Sequence, residues 1–304
     1  MTDRIGLTGL LERRAHRARA MRTRDDGEAW RWRRVDGWSP TWWPQGIAVG
    51  THEGVPLALV SWFAQERRGR RQGARISVVD LRDRRRPRYR HVLLAVAEGD
   101  GFGPALVHAG GIVWSGDRLL VAATYGGIRE FRLGDIRRMP DGTVLLPQHA
   151  EFLPGIRGER MRYSFLSLEA ADDQAVDIIA GEYAAHDRGR LARVRVADGA
   201  ARVRETFVPG IPQMQGAAAH EGTWYVSASR GDRHRGDLWS GTPDRMTRHP
   251  GALPIGPEDL AVWPERRQLW SVTEYPRRRR LVALPLDGIG RGPSAAAAGA
   301  AAAR

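Results

Sequence analysis

The stretch MQGAAAHEGTWYVSASR, residues 214–230, predicts a short apolar strand, a turn at Glu221-Gly222 and a second apolar strand. A glycine turn between two such runs is a typical hairpin signal. Four other stretches have the same plan, so the chain contains an internal repeat, and a repeat is the first feature that decides a fold. The five repeats begin at Pro44-Gln45-Gly46-Ile47, Ala109-Gly110-Gly111-Ile112, Tyr163-Ser164-Phe165-Leu166, Met214-Gln215-Gly216-Ala217 and Pro257-Glu258-Asp259-Leu260.

The remaining strands of each repeat are predicted from the ends of the second strands and from alternating apolar residues. The second strands end at Ser61-Trp62-Phe63, Ala123-Thr124-Tyr125, Gly181-Glu182-Tyr183, Ala228-Ser229-Arg230 and Thr273-Glu274-Tyr275. Third strands are predicted at 75–81, 127–133, 190–196, 237–241 and 280–286. Outer strands are predicted at 89–95, 144–152, 201–208 and 245–249, which leaves the fifth repeat without one.

The pattern predicts an all-β fold, a five-bladed β-propeller of four-stranded antiparallel blades. The alternating segment from Ala29 to Val35 would supply the missing outer strand and close the ring, which removes exposed sheet edges. The first repeats are longer than a minimal blade of about 40–50 residues. We assign the excess to long loops at 98–104 and 154–162, and six blades are the alternative. No helix is expected beyond the N-terminal arm.

Three regions are predicted along the 304 residues. Residues 1–28 form a basic N-terminal arm, in which Leu7, Leu10 and Leu11 share one side of a short helix. Residues 29–290 form the single propeller domain, and the Ala-rich tail 291–304 is expected to be disordered.

The composition limits the function classes. There is no Cys, so disulfides and thiolate chemistry are excluded. The net charge of +13 comes from 48 basic residues, all arginines, which are scattered over turns. A nucleic-acid-binding stripe would concentrate them on one element with interleaved aromatics. We therefore do not expect nucleic-acid binding. No signal sequence and no apolar membrane span is recognisable, so a cytoplasmic location is expected and no membrane association. The oligomeric state is left open.

Several motifs together resemble one protein family. They are Trp43-Pro44-Gln45-Gly46-Ile47, His108-Ala109-Gly110-Gly111-Ile112, Tyr125-Gly126-Gly127-Ile128-Arg129-Glu130-Phe131, Met214-Gln215-Gly216-Ala217, Gly256-Pro257-Glu258-Asp259-Leu260 and Leu269-Trp270-Ser271-Val272-Thr273-Glu274-Tyr275-Pro276. From about Trp38 onward the chain resembles a family of largely uncharacterised, mostly secreted actinobacterial β-propeller proteins. The resemblance implies the fold and carries no activity; this chain differs in lacking a signal sequence.

In a propeller, the repeat starts and the second-strand ends meet at one mouth of the central channel. We expect a funnel-shaped small-molecule pocket there. Its inner ring would hold Gln45, His108, Ser164, Gln215, Glu258 and Asp259, and its wall Trp62, Thr124, Tyr125, Glu182, Tyr183, Arg230, Glu274 and Tyr275.

Acid/base chemistry is the reaction type that this set favours. His108 is the expected base, with Glu182, Glu274 or Glu258 as acid or electrostatic partner. Gathered carboxylates would raise one another's pKa. Glu258 and Asp259 are adjacent on a strand, so only one should face the channel while the other binds a backbone amide. The alternatives are that arginines, Arg230 among them, pair with these carboxylates structurally, or that Glu258, Glu182 and Glu274 hold Ca²⁺, a hard cation that prefers oxygen ligands. No other cofactor is predicted.

The sequence is compatible with three functions. The preferred one is an enzyme, a hydrolase, lyase, isomerase or cyclase, that acts on a small organic molecule in the funnel. The second is a non-catalytic propeller that binds a small molecule or carbohydrate; the funnel residues differ from blade to blade, which favours a single site over repeated ones. The third is an interaction scaffold that uses the arginine-rich loops.

Overall fold

The structure, a computed structural model, describes residues 2–23, 27–66, 72–156 and 159–289. The predicted tail 291–304 and the arginines at 67, 68, 70 and 71 lie outside these residues. β-Strands dominate, as predicted, and none of the helices in the described ranges is long and apolar enough to cross a membrane.

Most strands belong to five antiparallel meanders of four strands each. Meander 1 consists of Trp42–His52, Val55–Ala64, Ala74–Asp80 and Arg88–Glu98. Meander 2 consists of Ile112–Ser115, Arg118–Ala122, Ile128–Arg132 and Val144–Phe152. Meander 3 consists of Phe165–Ala171, Ala175–Gly181, Leu191–Ala197 and Ala200–Phe207. Meander 4 consists of Met214–His220, Thr223–Ala228, Asp237–Thr242 and Arg245–His249. Meander 5 consists of Pro257–Trp263, Gln268–Thr273, Arg280–Pro285 and, from the N-terminal region, Glu28–Arg31.

Shorter elements decorate this plan. They are the strands Asp3–Arg4, His16–Arg17, Arg19–Met21, Gly101–Pro104, Arg137–Arg138, Gly155–Ile156 and Glu159–Arg160, the α-helices Gly6–Leu11 and Arg34–Gly37, and the 3₁₀ turns Leu133–Asp135, Pro264–Arg266 and Leu286–Gly288. The stretch 98–104 is a hairpin rather than a free loop, because Gly101–Pro104 pairs with the end of the outer strand of meander 1. Meanders 1 and 2 also join along their outer strands, where Leu93 pairs in parallel with Leu145.

The five first strands stand side by side in a ring. Each first strand contacts those of the preceding and following meanders, and the strand of meander 5 contacts that of meander 1. Five apolar clusters fill the spaces between neighbouring meanders in the same circular order. Three fully buried tryptophans, Trp30, Trp62 and Trp270, lie in the cluster between meanders 1 and 5. Burying a large apolar side chain contributes about 1.5–3 kcal/mol, so these interfaces hold the ring together.

The ring closes through the N-terminal region, but over fewer residues than the alternation predicted. Glu28–Arg31 pairs with Arg280–Pro285, with Trp30 opposite Leu281. The segment from Trp32 to Val35 is not strand: the chain turns there into the short helix Arg34–Gly37, a helix that the sequence did not predict. The reason is that the chain must turn from the outer strand of meander 5 towards the first strand of meander 1.

A buried carboxylate fixes this turn. Asp36 accepts hydrogen bonds from Arg75 at 3.0 Å, from the Tyr89 hydroxyl at 2.6 Å and from His91 Nε2 at 3.0 Å. Arg279 of meander 5 donates to the main-chain oxygens of Asp36 and Ser39 at 2.9 and 2.7 Å. Burial raises the pKa of Asp36, but these donors outweigh it and hold that pKa well below its usual value.

The ring of first strands has two open ends, which are called mouths below. At the strand-start mouth the first strands begin and the second strands end. At the hairpin mouth, short turns join each first strand to its second strand. Close to the strand-start mouth the first strands touch at glycines: a Cβ on Gly46 would lie 2.7 Å from the Gly111 Cα, and one on Gly111 would lie 2.6 Å from the Phe165 Cα. Only glycine permits this approach.

Candidate functional site

β-Bulges shape the strand-start mouth. In meander 1, Pro44 pairs with Trp62 and Ile47 with Val60, so the first strand contains one extra residue. Meander 4 has the same irregularity between Met214 and Gly216, and meander 5 has it between Pro257 and Leu260. The bulged segments contain the polar residues of the repeat starts, namely Gln45, Gln215, Glu258 and Asp259. A bulge redirects side chains that strict alternation would place on one face or the other.

The central feature of this mouth is a hydrogen-bonded pair of carboxyl groups, Glu258 and Glu274. Glu258 is only 3% exposed, and its Oε1 has no hydrogen-bond partner in the described residues. Burial, followed by the negative charges of Glu274 and Asp259, raises the pKa of Glu258 well above its usual value. Glu258 is therefore the protonated member of the pair, and it donates to the Glu274 carboxylate.

Glu274 is the member of the pair that reaches the surface. Burial raises its pKa, although the Tyr275 hydroxyl, Gln45 and Glu258 donate hydrogen bonds to its carboxylate. The distance from Gln45 Nε2 to Glu274 Oε2 is 3.4 Å. Burial and the Glu274 charge in turn raise the pKa of Tyr275, which keeps the phenol protonated as a donor. The predicted gathering of carboxylates with raised pKa values is thus present for Glu258 and Glu274.

Asp259 lies between the first strands, fully buried. Its Oδ2 accepts hydrogen bonds from the backbone amides of Ile47 at 3.2 Å and Ile112 at 3.4 Å, across two other meanders. The expectation that one acidic residue of this pair binds backbone amides is confirmed. Because burial also raises its pKa and no surface is exposed, Asp259 holds the first strands together, and the prediction that it contacts substrate is wrong.

His108 lies just before the first strand of meander 2. Its side chain reaches solvent and stacks on Phe63, with ring centroids 4.2 Å apart. The surrounding protein atoms, together with the charge of Arg162, lower its pKa to about 4. No hydrogen bond to its ring is found among the described residues. His108 is thus a neutral imidazole at physiological pH, with no carboxylate to orient it.

Arg162 connects two predicted wall residues. Its guanidinium lies 5.9 Å from the Tyr125 ring centroid and 5.6 Å from that of Tyr183. Tyr125 is 63% exposed, the profile of an aromatic side chain that is available to a ligand.

Backbone strain occurs at this mouth. Thr124 pairs with Tyr163 while its φ is 53°, and Ala109 and Gln213 have φ values of 53° and 56°. A positive φ is an outlier for a β-branched residue such as Thr124, and strain of this kind gathers at functional sites.

Two predicted site residues, Glu182 and Arg230, are occupied elsewhere. Both oxygens of Glu182 bind Arg190, at 2.7 and 2.9 Å, and Oε1 also accepts the Arg162 amide. Burial raises its pKa, but these bonds outweigh it and the pKa is lowered. Glu182 therefore fits the alternative of structural pairing, although Arg190 is the partner and not Arg230. Arg230 instead lies 3.5 Å from Asp237.

The prediction that Trp62 lines the funnel is wrong. Its side chain is fully buried between meanders 1 and 5, and its indole nitrogen donates to Ser77 at 2.8 Å. The strand pairing explains the error. Trp62 pairs with the first residue of its repeat, Pro44. The residues in the same position of meanders 4 and 5 are Ala228, which pairs with Met214, and Thr273, which pairs with Pro257. The residue that corresponds to Glu274 is therefore Phe63, which does lie at the mouth.

Two inner-ring residues have no hydrogen bond from their side chains within the described ranges. Gln215 is half-buried on the bulge of meander 4. The hydroxyl oxygen of Ser164 is shielded from solvent and has no partner. Both side chains keep unused hydrogen-bonding capacity near the channel.

The calcium alternative lacks geometric support. Within residues 2–23, 27–66, 72–156 and 159–289, no group of three or more His, Asp or Glu side chains could hold a metal ion. Glu182 does not join Glu258 and Glu274, because Arg190 holds it.

Sequence reasoning missed Phe63, Arg162, Trp43 and Arg279. Arg279 is 3% exposed, donates to the main-chain oxygen of Glu274 at 2.6 Å and lies over Trp43, whose ring meets Tyr275 edge-on. Burial lowers its pKa to about 10. Trp43 and Arg162 precede their repeat starts by one residue, as His108 does, so the position that selected His108 would have found them as well.

Solved structures similar to this chain support an all-β, propeller-like fold. Zg3597, a family 117 glycoside hydrolase from the marine bacterium Zobellia galactanivorans, has a TM-score of 0.52 at 11% identity, over 94% of this chain and 98% of that chain. At this identity the likeness extends to the fold alone. The RS223 β-xylosidase has a TM-score of 0.45 at 10% identity, over 83% of this chain and 93% of its own. The gluconolactonase XC5397 from Xanthomonas campestris has 0.40 at 16% identity, over 89% and 85%. The last two are too distant to bear on the site.

No protein-family model and no curated protein matches the sequence. The resemblance to the actinobacterial family stays a prediction from the motifs.

Proposed function

We propose that the five meanders are the blades of one β-propeller, and that the chain is an enzyme that moves a proton on a small organic molecule at the strand-start mouth. The count of five blades is supported by five apolar interfaces that return to their starting point. The activity is carried by one observation, the hydrogen-bonded carboxyl pair Glu258–Glu274 at the edge of a polar mouth.

Glu274 is the proposed catalytic residue. It is half-buried and ionises before Glu258, so its carboxylate accepts a proton from a C–H or O–H group of the substrate. The same carboxyl group then returns that proton to another atom of the substrate or to the departing oxygen. A base whose pKa is raised towards the working pH is efficient in both directions.

Glu258 is a positioning residue in this scheme. It is too deeply buried to touch a substrate, but its proton holds one oxygen of Glu274 in place. Arg279 acts in the same way through the Glu274 main chain. Tyr275 and Gln45 complete the set of donors, so that the catalytic carboxylate has a fixed orientation.

The spacing of the pair argues against ordinary glycoside hydrolysis. In glycosidases, the two carboxyl groups flank the scissile bond at about 5–9.5 Å. Hydrogen-bonded groups are much closer, and therefore act on one side of a substrate as a single proton-exchanging unit. Isomerisation and elimination are reactions that need one such unit. Lactone opening needs one as well: the carboxylate takes a proton from a water molecule whose oxygen bonds to the carbonyl carbon, and returns it to the ring oxygen as the bond to that oxygen breaks.

His108 and the tyrosines serve substrate binding in this proposal. A neutral imidazole without a partner offers one donor and one acceptor to a ligand. Tyr125 and Tyr183, with Arg162 near both rings, form the aromatic wall on the same side.

The test is a turnover assay on a panel of sugars, sugar lactones and aryl glycosides, followed by NMR. Sugars and aryl glycosides are included because Zg3597 is named a glycoside hydrolase, and sugar lactones because lactone opening needs one proton-exchanging unit. For a substrate that turns over, we expect Glu274→Gln to lower kcat at least about a hundredfold, the usual contribution of a general base. The kcat/KM should rise with pH through the raised pKa of Glu274, because the base acts only when ionised.

Glu221→Gln is the matched control, since it changes a turn carboxylate at the other mouth and should leave kcat unchanged. His108→Ala should raise KM more than it lowers kcat. Full activity of a folded Glu274→Gln variant would overturn the assignment. Binding of panel compounds without any turnover would replace the enzyme by the non-catalytic binding propeller.

A further inference from the structure

The hairpin mouth contains a cavity of about 690 Å³ that the proposed function does not use. Its walls come from the first strands of all five meanders near their hairpin ends, together with one side of the helix Gly6–Leu11. A concave cavity of about 300–1,000 Å³ is the usual size of a small-molecule site.

The inner surface of this cavity is partly apolar. Trp114 and Trp263 stand on it from meanders 2 and 5, and Val49, Leu168 and Val262 add aliphatic surface. Leu168 is 37% exposed, so part of this apolar surface faces solvent and would be covered by a ligand.

The charged side chains that line the cavity are acidic, whereas the protein as a whole is basic, although Arg193 pairs with the lining residue Glu169 at 2.8 Å. The chain has a net charge of +13, yet among the described residues that line the cavity there is no arginine. The titratable lining residues are the carboxylates Glu53, Asp117, Glu169 and Glu265 and the imidazoles His52 and His220. Because the protein is positively charged overall, its long-range field repels cations. A cation could bind in this cavity only through the carboxylates that line it.

Two of the carboxylates differ in how they are held. The Thr8 hydroxyl, on the helix Gly6–Leu11, donates to Glu53 Oε2 at 2.9 Å and lies 3.1 Å from His52 Nε2. Leu7, Leu10 and Leu11 anchor that helix in the core, so Glu53 is presented by a fixed element. Glu265 has neither a hydrogen bond nor an ion pair to any described residue.

We propose that the hairpin mouth is a second ligand site, which binds a small organic cation, an aliphatic amine or diamine. The alkyl part would cover the apolar surface around Leu168 and Trp263. The ammonium groups would meet Glu53 and Glu265, the lining glutamates that do not pair with any arginine of the described residues. This site is separate from the Glu258–Glu274 pair and does not depend on its function.

The experiment is calorimetric titration of the full chain with 1,4-diaminobutane, and with 1,4-butanediol as the uncharged analogue. We expect the diamine to bind and the diol to bind at least tenfold more weakly. Glu53→Gln and Glu265→Gln should each weaken diamine binding about two- to fivefold, the range for exposed charge pairs. Leu168→Arg should abolish it, because a positive charge on the apolar surface of the cavity repels the ammonium groups.

The matched control is Glu221→Gln. Glu221 occupies the same place in a His-Glu-Gly turn as Glu53, but it does not line the cavity. Equal binding of the diol, equal loss in Glu221→Gln and Glu53→Gln, or no heat of binding at about 10 mM diamine would each overturn the proposal. Circular dichroism of every variant shows that the fold is retained.

Discussion

The two mouths of the channel are built from the same repeat, but they treat polar groups in opposite ways. At the strand-start mouth, bulges turn Gln45, Glu258 and Asp259 inward, where each is at most 4% exposed. At the hairpin mouth, Glu53 and Glu265 sit on exposed turns around an open cavity.

This difference shows what burial does to chemistry. A carboxyl group that is taken out of water binds its proton more tightly, so the pKa of Glu258 and Glu274 is raised. An exposed carboxylate at the rim of a cavity can contact a ligand directly. The strand-start mouth is therefore suited to proton transfer, and the hairpin mouth to binding.

The largest effect is expected from glycines of the two mouths. A Cβ on Gly111 would lie 2.0 Å from the Leu166 nitrogen, so Gly111→Ala should push neighbouring first strands apart and lower the free energy of unfolding by about 3 kcal/mol or more. Gly54 lies in a hairpin turn with a φ of 77°, and a Cβ added there would have no other atom within 4 Å. Gly54→Ala should cost only about 1 kcal/mol, the backbone strain alone. Urea unfolding measures both; equal losses would mean that the first strands do not touch as described.

A pH effect on stability is expected next, and only at the strand-start mouth. Because the folded pKa of Glu258 is raised above 4.5, its favourable contribution is complete below that pH and is lost as pH rises towards the folded pKa. The Glu258→Gln variant should gain stability relative to wild type by up to about 1.4 kcal/mol per pH unit in this window.

Urea unfolding between pH 4 and 9 measures this difference. Glu53→Gln, at the hairpin mouth, serves as the comparison and should stay within about 0.5 kcal/mol of wild type. A flat difference between Glu258→Gln and wild type would contradict the buried carboxyl pair.

The smallest effect is a change in the titration of His108. NMR of the imidazole should give a pKa of about 4, and Arg162→Gln should raise it, because a neighbouring positive charge is removed. The pKa should still stay below 6.5, since the surrounding protein atoms are the larger cause. A wild-type titration near 6.5 would mean that the contact with Phe63 does not shield the imidazole from water.

The repeat allowed most strands to be predicted, because alternation depends only on local sequence. The outer strands Val144–Phe152 and Arg245–His249 have the predicted bounds. The N-terminal strand Glu28–Arg31 joins meander 5 as its outer strand, which the sequence also predicted. The site was only partly predictable. The second strands were compared by the residues at their ends, and only the pairing shows that Trp62 corresponds to Thr273 and Phe63 to Glu274. Trp62 was therefore expected where Phe63 lies.

The partners of charged side chains were likewise hidden. Glu182 and Glu274 lie at the ends of equivalent strands. Arg190 forms an ion pair with Glu182, whereas Glu258 donates a hydrogen bond to Glu274. Their partners lie 8 residues away in one case and in a neighbouring strand of the meander in the other. Sequence position alone predicts the same role for both residues.

The sequence by itself determined the number of repeats, the apolar faces of the strands and the glycines that let the first strands meet, since these depend on local side-chain pattern and backbone freedom. The tertiary structure alone decided which polar groups lost contact with water and which remained open. Burial and charge pairing arise between strands that are distant in the chain, and a carboxyl group acquires its chemistry from those neighbours.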